Sequence, residues 1–250
     1  MKFQKDKLVV EVYGNRELMG KAAGKDIADS IKNLLKKQEE VNIIFAAAPS
    51  QTDVFKYLKE TDDVDWSRVN AMHMDEYHTL DNNHSAKFAN FLERELFSNI
   101  NLKNIYYLKE RDETKEEIIA KYQKLLKNNK IDIVICGAGE NGHIAFNDPH
   151  VANFQDKELI KEITLDEACR IQQVNDGCFS SLDEVPKQAI TLTIPALMSA
   201  NQIFCIVPGK LKHQAINKLL KGEITEEVPV SIIRTHNQAK LYLDQDSYIG

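Results

Sequence analysis

The stretch that decides the fold is KIDIVICGAGENGHIAFNDP, Lys130 to Pro149. Its first part is a continuous apolar run, as expected of a strand covered on both faces. The run stops at a turn with three glycines, Gly137, Gly139 and Gly142, and then presents Asn141, His143 and Asp148 within a few residues. Gly137 and Gly139 would let backbone approach a ligand closely. The spacing Gly-x-Gly-x-x-Gly after a strand also occurs in dinucleotide sites. Here Glu140 would repel a pyrophosphate, and HIAFNDP opens a helix poorly. The better reading is a tight turn presenting an amide and an imidazole; a glycine turn with a capped histidine is the plainer alternative.

Outward from this stretch, strands and helices alternate. Upstream, apolar residues at helical spacing from Leu18 to Leu35 predict an amphipathic helix after Asn15. VNIIFAAA, SRVNAMHM and KNIYYL read as strands, DVFKYL and SAKFANFLERELF as helices, and ETKEEIIAKYQKLLKN as a helix opened by a Thr114–Glu117 capping box. Downstream, QAITLTIPALMSA reads as a strand and a short helix, NQIFCIVPG as a strand, KLKHQAINKLLKG as a helix stopped by Gly222, and AKLYLD as a last strand. Residues 148–182 have weaker periodicity and read as a partly irregular insertion. The alternation predicts an α/β fold, a doubly wound, mostly parallel sheet flanked by helices, Rossmann-like, in one domain over residues 1–250.

Composition narrows the function classes. The 250 residues carry 32 Lys and Arg against 38 Asp and Glu, a net charge of −6. That balance argues against general nucleic-acid binding. No apolar run approaches the roughly 20 residues of a membrane span, so neither nucleic acid nor membrane is an expected partner. The four cysteines form no CxxC pair, and Cys136 and Cys205 sit in apolar runs. A reducing cytoplasm is the expected setting.

In an open parallel sheet, ligands bind beyond the carboxyl ends of the strands. Four such exits carry polar residues: APSQTD (Ala48 to Asp53), HMDEYH (His73 to His78), GAGENGH, and PGKLKH (Pro208 to His213). Asp75 and Glu76 are adjacent at a strand exit, where neighbours point apart, so one can face a cleft. A carboxylate in a partly dry cleft suits a general base; an acidic loop with Asp75 capping a turn is the plainer reading of the dipeptide alone. Lys210 and Lys212 at a helix start suit a bound anion, or a solvated basic face.

HMDEY, GENGHIAFNDP and VPKQAITLTIPALMSA together resemble the glucosamine-6-phosphate deaminase/isomerase family, which shares its fold with the 6-phosphogluconolactonases. The likeness runs from the first helix to the last strand. It implies an aminosugar-phosphate substrate, a ring opening, a proton shift from C2 to C1 and release of ammonia, with no metal or organic cofactor. By position, Asp75 resembles the proton-moving base, His143 the ring-opening acid/base, and Asn141 and Asp148 its orienting partners. In the family's phosphate loop PTGGTP, this chain has Ser50 and Gln51 at the glycine pair, keeps Thr52, and has Asp53 at the proline. Lys212 matches the phosphate lysine. Asn175 is expected where the family has an arginine, with Arg170 close by. Ser50, Gln51, Thr52, Gly137, Arg170 and Lys212 are thus the expected substrate-binding set. Hydrolysis of a sugar-phosphate lactone and sugar-phosphate binding with little catalysis are the other readings, and association of identical chains is left open.

Overall fold

A computed structural model describes residues 1–249; Gly250, the last residue of the expected domain, lies outside the described residues. A hairpin of β1 (Lys2–Lys5) and β2 (Leu8–Tyr13) leads into α1 (Arg16–Leu35). Then come β3 (Val41–Phe45), α2 (Thr52–Lys59), β4 (Val69–His73), the short β5 (Asp75–Glu76), α3 (Phe88–Glu95), β6 (Asn104–Tyr106), α4 (Lys115–Asn128) and β7 (Ile133–Cys136). The chain continues through β8 (Ile160–Thr164), α5 (Glu167–Asn175), β9 (Gln188–Leu192), α6 (Ile194–Met198), β10 (Gln202–Val207), α7 (His213–Lys221), β11 (Ala239–Asp244) and α8 (Gln245–Ile249).

Eight strands form the main sheet in the order β1-β2-β11-β10-β7-β3-β4-β6. Only the β1–β2 pair is antiparallel; the other pairings of this sheet are parallel. Successive residues of the central strands serve opposite faces. Ile133 and Ile135 pack with α1, α2 and α3, whereas Val134 and Cys136 pack with α4, α6 and α7. Two apolar layers therefore need a strand that is apolar throughout, which is why IVIC does not alternate. This is the expected doubly wound α/β sheet.

Several caps follow the sequence directly. Asn15 caps α1 by accepting from the Leu18 amide, and Thr114 and Glu117 close the reciprocal capping box of α4. Two features differ from expectation. QAITL joins not the main sheet but a second, three-stranded one, ordered β5-β9-β8. The segment expected to be partly irregular holds β8 and α5. The inward face of α5 includes Gln172 and Gln173 as well as Cys169, so hydropathy gives little helical period there.

Glu76 ties the small sheet to α3. Its buried carboxylate accepts from the backbone amides of Tyr77 (2.9 Å), Phe88 (3.1 Å) and Ala89 (3.0 Å). It thereby satisfies donors at the start of a helix whose N-cap, Lys87, makes no side-chain cap. Glu76→Ala should lower stability by about 3 kcal/mol, since buried donors lose their acceptor. A change below about 0.5 kcal/mol in chemical denaturation, the size of an ordinary surface substitution, would show that water replaces the carboxylate.

Candidate active site

The strand order reverses between β3 and β7, and β3, β4, β7 and β10 all leave the sheet at the same edge. A cleft opens there, lined by Ser50 after β3, Asp75 after β4, Gly137, Gly139 and His143 after β7, and Lys212 after β10. Arg16 from α1 and Gln172, Gln173 and Asp176 around α5 complete its polar lining.

His143 is held by its neighbours in sequence. Its Nδ1 lies 2.8 Å from Asn141 Oδ1 and 3.0 Å from Asp148 Oδ1. Both are acceptors, so Nδ1 carries the hydrogen and the lone pair of a neutral ring is on Nε2. Asn141 Nδ2 donates to Asp148 Oδ1 (3.0 Å) and to Asp166 Oδ2 (3.3 Å), which fixes the amide that fixes the ring. Burial pushes the Asp148 carboxyl up, but hydrogen bonding and charge from His143, with a hydrogen bond from Asn141, outweigh it and hold it below 3.8.

The glycines serve the histidine as much as a ligand. The imidazole lies against Gly139 Cα, so any Cβ there would overlap the ring. Gly142 adopts φ +88°, the left-handed region, and closes the turn by donating to the Gly139 carbonyl at 3.0 Å. After the histidine, Ala145 holds φ +49°. Phe146 N bonds Thr191 Oγ1 at 3.1 Å, and Asn147 Nδ2 bonds the Ile144 and Leu192 carbonyls, both at 2.9 Å, so β9 pins this backbone in place.

Asp75 and Glu76 do point apart. Glu76 is consumed by the α3 terminus, while Asp75 lines the cleft, and among the described residues no group donates to its carboxylate. Burial, and then the charge of Glu76, raise its pKa well above 3.8. Behind it, His73 Nδ1 meets the Asp75 carbonyl at 3.0 Å and Nε2 accepts from the Leu108 amide at 2.9 Å. Burial lowers this imidazole to about 3, so it stays neutral and braces the strand exit.

Lys212 ends at a buried Nζ that has no hydrogen-bond partner among the described residues. Its nearest carboxylate oxygen, Glu140 Oε1, is 3.9 Å away. Burial lowers its pKa, against the opposing charges of Asp176 and Glu140. A buried, unpaired ammonium on a cleft wall is suited to an anion supplied by a ligand.

Other residues expected at the substrate lie elsewhere. Gln51 is fully buried beneath the loop, with Nε2 on Ser50 Oγ (2.9 Å) and the Ile206 carbonyl (3.3 Å). Thr52 turns back to the Pro49 carbonyl at 3.0 Å. Arg170 is spent on the Leu182 (2.5 Å) and Val185 (3.1 Å) carbonyls, because its turn of α5 faces away from the cleft. Asn175 reaches only Glu140 Oε1, at 3.5 Å. The residues on the cleft from α5 and its C-cap are Gln172, Gln173 and Asp176, and Arg16 joins from α1; only their polarity hinted at this. His143, Asp148 and Cys169 have one potential ligand atom each within 4.8 Å of one another. The imidazole N–H and the Asn141 amide already bind that carboxylate, and burial first, then Asp148, keeps the thiol protonated. The donor set fits a hydrogen-bonded dyad better than a metal centre.

The model of the family described as glucosamine-6-phosphate isomerases/6-phosphogluconolactonase matches residues 14–243. The chain belongs to this family. A glucosamine-6-phosphate deaminase of Clostridium perfringens strain 13 is 30% identical over 94% of this chain and 96% of its own length. One of Clostridium botulinum strain Eklund 17B is 35% identical over 82% of this chain and 84% of its own. Among solved structures, a monomeric glucosamine-6-phosphate deaminase superposes with a TM-score of 0.85 at 25% identity, covering 95% of this chain and 98% of that one. The 6-phosphogluconolactonase of Thermotoga maritima (TM-score 0.76, 17% identity, 94% and 99% covered) shares the fold.

The raised pKa of Asp75 has a consequence for stability. A group whose folded pKa lies above its unfolded value favours the fold below the unfolded pKa, and that contribution is lost as pH rises through the folded pKa. Above the ordinary 3.8, Asp75 therefore increasingly burdens the native state. Asp75→Asn should unfold at a higher temperature than wild type near neutral pH, with the gap closing as the pH is lowered. Paired thermal scans from about pH 5 to about pH 8 test this; a gap independent of pH contradicts the assignment.

Proposed function

We propose that this protein is a glucosamine-6-phosphate deaminase acting as one catalytic domain. Glucosamine 6-phosphate and water give a ketose 6-phosphate and ammonia. The observation that carries the reading is one cleft holding two differently prepared acid/base groups and a buried, unpaired lysine. His143, with Nε2 unprotonated and Nδ1 braced by Asp148, takes the proton of the C1 hydroxyl and returns it to the ring oxygen, opening the ring. Asp75 then takes the C2 proton and delivers it to C1, while the C1 oxygen gains the proton that the C2 nitrogen sheds, leaving a C1 hydroxyl and a C2 imine. Water hydrolyses the imine to the C2 ketone, and ammonia leaves. A carboxylate with a raised pKa suits removal and return of a carbon-bound proton. Lys212, helped by Ser50, meets the phosphate. The family and the similarity to curated deaminases support the same chemistry.

Ammonia release from glucosamine 6-phosphate is the direct test. Asp75→Asn should keep the fold and nearly abolish turnover, because an amide has the shape without the basicity. Lys212→Ala should weaken binding of the phosphorylated sugar by about 1.5–3 kcal/mol, the range for a hydrogen bond to a charged group, and leave that of glucosamine unchanged. Hydrolysis of a 6-phosphate lactone with no ammonia from the aminosugar would overturn the reading. His143→Gln should be impaired more with closed-ring than with open-chain substrate; equal loss would move the histidine to a later step.

A further inference from the structure

The loop from Ala48 to Asp53 contains no glycine, and Gln51 and Thr52 turn their side chains away from the cleft. Lys212 brings one positive charge, with Glu140 Oε1 at 3.9 Å and Asp176 also on the wall. A phosphate dianion set there needs more positive charge than that. Among the described residues lining the cleft, the other cation is Arg16.

Arg16 is placed by close packing of α1 on α2. Asp53 lies against Gly20 with no room for a side chain, and a Cβ on Gly24 would come within 2.7 Å of Tyr57 Cβ. The first turn of α1 is thereby laid on the loop. Arg16 Nε donates to the Asp53 carboxylate, and Nη2 donates to the Pro49 carbonyl and to Thr52 Oγ1, the last at 2.9 Å. A guanidinium has five N–H groups in a rigid fork. These bonds engage three of them, and the two on Nη1 have no partner among the described residues. The fork is thus fixed in the loop with its remaining donors available.

We propose that Arg16, anchored by Asp53, is a second phosphate-reading cation facing Lys212, and that it determines selectivity for the phosphorylated sugar. This rests on the reading of glucosamine 6-phosphate as substrate. The residues at positions 52 and 53 then hold the arginine rather than touch the anion themselves.

Arg16→Ala should raise KM for glucosamine 6-phosphate on the order of tenfold, the low end for a hydrogen bond between charged groups, with kcat within about twofold. Arg16→Lys should recover part of the loss, since it keeps the charge without the fork. Asp53→Asn, which weakens the anchor alone, should raise KM by less than Arg16→Ala does. Inorganic phosphate, as competitive inhibitor and as thermal stabiliser, should act more weakly on Arg16→Ala than on wild type. A purely structural role would instead lower kcat, or weaken glucosamine and glucosamine 6-phosphate alike, and either result overturns the proposal. Unchanged KM in Arg16→Ala overturns it while leaving the deaminase reading intact. If wild type fails to turn over glucosamine 6-phosphate, that reading falls, and the phosphate-induced thermal shift still judges Arg16: equal shifts in both proteins, or none in either, refute it.

Discussion

The parallel pairing of β7 between β3 and β10 is the constraint from which the site follows. It places Phe45 beside Ile135, and Cys136 beside Cys205. The chain must then leave all three strands at the same edge, and β4, paired to β3, adds a fourth exit. The strands are buried on both faces, so their register is enforced by two apolar layers at once. Residues from Ser50 to Lys212 converge because each lies just beyond a strand locked in that ladder. The second sheet adds what the ladder cannot, a local brace: β9 holds both Asp75 and the backbone after His143.

Three buried carboxylates show how this frame assigns different chemistry to one functional group. Glu76 accepts from three backbone amides and serves the α3 terminus, though burial still raises its pKa above 4.5. Asp148 is equally buried, yet donors on His143 and Asn141 keep it ionised, so it fixes a tautomer. Asp75 has burial without donors, and its pKa is raised well above 3.8. The difference is in what opposes burial: His143 and Asn141 outweigh it at Asp148, three backbone amides do not at Glu76, and nothing opposes it at Asp75. On the proposed mechanism, the same feature makes Asp75 a burden on the fold and an asset in proton transfer, a common opposition between stability and activity.

The anion end follows a different logic. Among the described residues nothing hydrogen-bonds the buried Lys212 Nζ, which lines the cleft and can take a charge from outside. Around it the chain uses side chains where backbone amides would need glycine: Ser50 on the wall, Gln51 as a buried plug under the loop, and Arg16 bonded across it. The acidic residue at position 53 and the basic one at position 16 make sense as a pair, 37 positions apart in the chain.

The alternation of apolar runs and amphipathic helices predicts the sheet class, because burial on both faces leaves a direct trace in hydropathy. Caps such as Asn15 and the Thr114–Glu117 box are legible for the same reason: their partners are three residues away. The local half of the site is legible too, since Asn141, His143 and Asp148 are bound together within eight residues. The second sheet, α5 and the true lining of the anion end are not. Arg170 and Gln173 lie on one short helix, and only the direction in which that helix packs decides which meets the cleft. Arg16 and Asp53 look like surface charges until α1 and α2 are docked through Gly20. Sequence thus determined the interactions whose partners are near neighbours or whose period is that of an element. Tertiary structure decided those that depend on the rotation and approach of separate elements, because side-chain direction across a helix–helix or helix–loop contact is set by packing and leaves no period in the chain.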